Sequence, residues 1–173
     1  MPKMFTVSRW QANSVVGTTC LLLCTHAYAI EPKDVTFYCT SEAVGGLRYD
    51  EQLKKWRSAN FQADGRFVLK LEFVSTTSEP IYEGASPSIV HRFRITVRPA
   101  GSTIDSRCIA DSDDGLVAVW PRGHVRCSYS LSELRFNPAN NRFLESYLIG
   151  YISGEDNNKD TPSIAAGICT KID

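Results

Sequence analysis

Within residues 30–173, two histidines, four cysteines, two acidic loops and one arginine-bearing run are the groups whose types could do chemistry. His91 and His124 stand far apart and lack the His-Glu-x-x-His spacing that sets two imidazoles around zinc on one helix face. Each reads as a surface or turn residue rather than as a base or metal ligand. No Gly-x-Ser-x-Gly elbow presents a serine nucleophile. A cysteine nucleophile needs a free thiolate, which disulfide pairing removes. The sequence therefore predicts a protein that is not an enzyme and uses no cofactor, with a small hydrolase of unmarked site as the enzymatic alternative.

The cysteines Cys39, Cys108, Cys127 and Cys169 never fall two to four residues apart, as structural zinc ligands do. An even number of cysteines in an exported domain points instead to two disulfides, for which four cysteines allow three connectivities. We expect Cys108 with Cys127 across a local hairpin and Cys39 with Cys169 between the first and last strands. Asp156, Asn158 and Asp160 open like a calcium loop, but Thr161 replaces the glycine of its sharp turn and Gly167 its closing glutamate. Asp111, Asp113 and Asp114 before Gly115 fit a β-turn. No metal site is expected.

Two patterns suit binding. In Arg92-Phe93-Arg94-Ile95-Thr96-Val97-Arg98 an extended backbone puts Arg92, Arg94 and Arg98 on one face. Such a row clamps carboxylates or a polyanionic glycan, or forms a solvated face matched to cross-strand acids such as Glu72. In Trp120-Pro121-Arg122-Gly123-His124 an indole beside Arg122 and His124 suits a partner-binding loop, unless Trp120 is buried at a strand end. Phe143, Tyr147 and Tyr151 are candidates to line an apolar cavity or to fill a core.

These groups must be carried by strands. Val35, Phe37 and Cys39, then Phe67, Leu69, Leu71 and Phe73, then Phe93, Ile95 and Val97 all alternate with polar neighbours. Turn residues punctuate the runs at Gly45-Gly46, Ala63-Asp64-Gly65, Pro99-Ala100-Gly101, Asp113-Asp114-Gly115, Pro121-Arg122-Gly123 and Asn137-Pro138. The pattern predicts an all-β fold: a small antiparallel barrel or sandwich of about eight strands, stapled by disulfides. Tyr49 to Trp56 reads as a hairpin reversing at Glu51-Gln52-Leu53 in preference to a short helix. Arg142 to Ile152 carries both a four-residue repeat and β-leaning aromatics, and we read it as strand.

The first 29 residues set the compartment. Lys3 and Arg9 precede an apolar run from Val15 to Cys24, and Ala27-Tyr28-Ala29 places small residues before a cut, so residues 1–29 read as a cleaved signal peptide. That run is about half of the ~20 residues a spanning helix needs. A lipid-modified Cys24 is the lesser alternative, since bulky Leu23 occupies a position that favours a small residue. The mature chain, 30–173, is then one β-rich domain of periplasmic or secreted location. The whole chain has 19 basic and 19 acidic residues, and loss of Lys3 and Arg9 leaves a net charge near −2. Near-neutrality argues against nucleic acid, and no later apolar run is long enough to span a bilayer. The expected partner is a protein or an anionic envelope component, and a barrel-type carrier of a small apolar ligand is the alternative.

Gly46-Leu47-Arg48-Tyr49-Asp50 followed by Trp56, the Phe67-to-Lys70 strand, Arg142-Phe143, Gly150-Tyr151, Thr161-Pro162 and Gly167-Ile168-Cys169 together resemble a group of small, exported, uncharacterised bacterial proteins. The resemblance spans most of the mature chain and implies export, β structure and a single domain, with no activity. In architecture alone the chain is similar to periplasmic lysozyme inhibitors, which are small disulfide-stapled β-barrels. None of their inhibitory motif maps onto a position here.

Overall fold

Side-chain alternation produces long antiparallel strands. The computed structural model describes residues 30–121 and 123–173, so residues 1–29, where a signal peptide is expected, and Arg122 lie outside the described residues. Its elements are β1 (Val35–Asp50), β2 (Lys55–Phe61), β3 (Arg66–Pro80), β4 (Pro87–Pro99), β5 (Ser106–Cys108), β6 (Val117–Val119), β7 (Val125–Tyr129), β8 (Ser132–Asn137), β9 (Arg142–Tyr147), the single helical turn α1 (Ile149–Ile152) and β10 (Ser163–Lys171). All ten strands belong to one sheet, ordered β5-β4-β3-β1-β10-β9-β8-β7, with β2 on β1 and β6 on β4.

Eight strands lie on the main path, and β2 and β6 pair off it. The ladder does not close into a barrel. Its end strands meet where Ile109 and Ser128 exchange backbone hydrogen bonds of 3.0 and 2.8 Å in an isolated bridge, next to the Cys108–Cys127 disulfide. We call this junction the seam. The second disulfide joins Cys39 of β1 to Cys169 of β10, which face each other in the ladder. Both expected pairings are present, and two structural disulfides fit a non-cytoplasmic or secreted protein. Among the described residues no helix is long and apolar enough to cross a membrane.

The inward positions named from the alternation are buried, Leu69, Leu71, Phe93, Ile95 and Val97 fully so, except Phe73, which is half-buried against the core. Aromatic rings cross the interior from wall to wall. Phe37 of β1 meets Phe136 of β8 edge-on at 4.8 Å, and Phe67 of β3 meets Phe143 of β9 at 5.0 Å. A ligand entering this space would have to displace them.

Four expectations need correction or refinement. Gly45-Gly46 is not a turn; both glycines lie inside β1, and the chain reverses after Asp50, whose carboxylate accepts the N–H groups of Gln52 and Leu53 at 3.1 and 2.9 Å. Arg142 to Ile152 is strand only to Tyr147 and then makes the turn α1. Phe143, Tyr147 and Tyr151 do not share a cavity: Phe143 is in the core, Tyr147 donates to Asp160, and Tyr151 packs edge-on against Trp56 at the surface. His91 is buried rather than at the surface, because β4 turns it inward beside Phe73 and within 2.9 Å of the Thr76 hydroxyl.

Candidate functional site

A cleft of about 640 Å³ opens along the seam. Its walls come from β4, β6, the 109–116 loop and the outer faces of β7 and β8. The register Arg92↔Ala118 sets both residues on the outer face, and Trp120, one residue past β6, extends the same wall. Ile109, Ala110, Leu116 and Ala118 make the cleft partly apolar, while Arg92, His124, Arg126 and Glu133 supply charge or polarity around it. Three of the six residues singled out from sequence, Arg92, Trp120 and His124, are therefore brought together.

Each polar group has a defined setting. The Arg92 guanidinium grips both Glu79 carboxylate oxygens at 2.8 and 2.9 Å and reaches Asp114 at 3.2 Å. This fork fixes the arginine and leaves its charge compensated. Glu133 accepts from Arg135 at 2.7 Å and from Arg126 at 3.1 Å, and these two cations hold its carboxyl below the usual range. Burial lowers the His91 imidazole, whereas His124 is exposed at the rim. The Trp120 indole nitrogen is buried without a hydrogen-bond acceptor among the described residues. An unsatisfied buried donor costs about 1–3 kcal/mol, so contacts of the ring itself must hold it in place.

The Thr77 hydroxyl, at 2.7 Å, and then the Arg92 guanidinium hold the Glu79 carboxyl below its ordinary value. Unfolding releases it to that ordinary value. The resulting stabilisation is present above the unfolded pKa and is lost as pH falls through the folded one. Thermal melts at pH 7 and pH 3 are expected to show a smaller acid-induced drop in Glu79→Gln than in wild type. Equal drops would remove Glu79 from the acid response.

The rest of the arginine row lies outside the cleft. Arg94 faces Glu72 across β3 and β4 at 3.6 Å, and Arg98 approaches Asp105 at 3.7 Å. The row is thus an exposed face of matched charges, weak as a clamp for anions. Arg122 lies outside the described residues. The calcium-like loop is spent on structure: Asp156 accepts the Trp56 indole N–H at 2.9 Å, Asp160 the Tyr147 hydroxyl at 3.1 Å. Asn158 bonds both the N–H and the carbonyl of Tyr49, replacing a neighbouring strand at the end of β1. Asp114 closes the 112–116 turn by accepting the Leu116 N–H at 2.9 Å. Among the described residues no group of three metal-ligating side chains converges.

Sequence reasoning missed Ile109, Leu116, Arg126 and Glu133 as cleft residues. The signal was present in the expected Cys108–Cys127 link, which ties the 109–116 loop to β7. Comparison with protein-family models, with curated proteins and with solved structures found no match.

Proposed function

We propose that the chain is an exported, non-enzymatic binding protein, cut after Ala29 and working in the periplasm or secreted space as an inhibitor or envelope accessory. Its partner is a protein, engaged at the seam cleft. The observation that carries this reading is the convergence of Trp120, His124 and the Arg92 fork on one partly apolar concavity with a charged rim. Buried interface centres of this composition, aromatic and arginine anchors inside a polar edge, are where binding energy concentrates. Arg94 and Arg98 stand outside this concavity, beside Glu72 and Asp105 respectively.

The test uses purified mature protein to capture partners from envelope extract, with captured chains identified by mass spectrometry. A protein retained by wild type and by Arg94→Glu should be lost with Ser128→Arg, which crowds the cleft from its exposed rim. Its mass should stay unchanged on prolonged incubation. Capture lost with Arg94→Glu and kept with Ser128→Arg would move recognition to the arginine row and reject the cleft.

A further inference from the structure

The outer face of the sheet carries a second concavity, remote in composition from the seam. Gly45, Gly46, Leu47, Leu148, Pro162 and Ile164 line an apolar groove of about 420 Å³ with no charged residue in its lining. Ile164 and Ile168 on β10 and Leu144 on β9 continue it as an exposed apolar strip, because they alternate with the inward-facing Phe143, Gly167 and Cys169. Beside the groove, α1 raises Ile149, Tyr151 and Ile152, the last 79% exposed.

Gly45 shows that the groove is not demanded by the fold. A Cβ there would meet nothing closer than the Ala59 carbonyl at 3.8 Å, and the residue has no positive φ. A glycine inside a strand costs about 0.5–1 kcal/mol relative to alanine. Here that cost leaves a floor open on an exposed surface, which is useful to an incoming apolar group.

We propose that this face joins two copies of the chain about a two-fold axis, with the α1 knob of each filling the groove of the other. An isologous contact needs knob and socket on the same surface, and here they adjoin through Leu148. Leu144, Leu148, Ile149, Tyr151, Ile152, Ile164 and Ile168 together offer roughly 500 Å² of apolar surface at about 70 Å² each. A standard dimer buries about 800 Å² per partner, of which about 65% is apolar in homodimers. The match in area and a groove lining without charge favour a second copy over a charged partner, with Arg135 and Arg142, across the ladder from Leu144 and Ile168, at the edge of the face. This proposal does not depend on the seam cleft.

Sedimentation velocity of the purified mature protein from about 1 to 100 μM tests it. Wild type should dimerise within this range. Gly45→Val, which fills the floor, and Ile152→Glu, which charges the knob, should each weaken dimerisation at least tenfold. Gly45→Val should melt no lower than wild type, so that lost association is not lost folding. A wild type monomeric at 100 μM, or variants as dimeric as wild type, would overturn the proposal. Monomeric wild type that co-sediments with phosphatidylglycerol vesicles would also overturn it and assign the face to lipid.

Discussion

Replacing Cys39 and Cys169 together by alanine is expected to lower the unfolding free energy by about 4 to 5 kcal/mol, more than the roughly 3 kcal/mol expected for the Cys108/Cys127 pair. The difference follows from chain entropy. One crosslink spans a sequence separation of 130 residues and the other of 19, and the longer loop removes more freedom from the unfolded chain. The two losses should also differ in kind. Cys39 and Cys169 sit within a continuous ladder that survives their removal, whereas the seam is held beside its disulfide by the Ile109–Ser128 bridge. Amide exchange at Ile109 and Ser128 should therefore accelerate in the Cys108/Cys127 variant while that of β1 and β10 stays slow. Urea unfolding of both double variants checks the order, and a larger loss for the short loop would show that seam closure outweighs loop entropy.

Adjacent glycines give the second large effect, with opposite signs. Gly46→Ala is expected to destabilise by about 3 kcal/mol, because the new Cβ would overlap the Pro162 carbonyl oxygen and press on Phe61. That carbonyl accepts the Leu47 N–H at 2.9 Å, so the clash cannot be relieved without breaking a bond that anchors β10 to β1. Gly45→Ala points into open space and should stabilise by about 0.5–1 kcal/mol. Calorimetric melts of the two variants should thus separate by roughly 10 °C or more. Similar melting temperatures would show that the close approach at Gly46 relaxes freely.

The same pair marks how far the fold was legible. Alternation located the inward face of β1, β3 and β4 because each has one wet and one dry side, and period two leaves no ambiguity there. Gly45-Gly46 misled because glycine serves turns and close backbone approaches alike, and the pairing with Pro162 lies more than a hundred residues away. The reversal between β7 and β8 had no signal at all. Ser130 and Leu131 adopt positive φ of 45° and 68° there without an asparagine or glycine, imposed by the ladder from Val125↔Phe136 to Tyr129↔Ser132.

Burial of His91 was hidden for a related reason. Its strand neighbours Arg92 and Val90 do not say that the inward face continues past Phe93, and the Thr76 partner is supplied from β3 after the irregularity between Phe73 and Ser75. Of the site, Arg92, Trp120 and His124 were found by type. Those from other stretches, Glu79, Ile109 and Glu133, depend on how the sheet curls and became visible only with the seam. Tyr129, packed against the core outside the cleft, was equally hidden: its hydroxyl donates to Glu145 at 2.5 Å, and burial and then that carboxylate raise its pKa strongly.

The proposal on which the account rests is that this is an exported β body stapled by two crosslinks. Intact mass and non-reducing peptide mapping of protein purified from its native cells test it most directly. The account predicts a chain beginning at Ile30, with peptides joining Cys39 to Cys169 and Cys108 to Cys127 and no free thiol. A chain that keeps residues 1–29 and has all its cysteines reduced would contradict it.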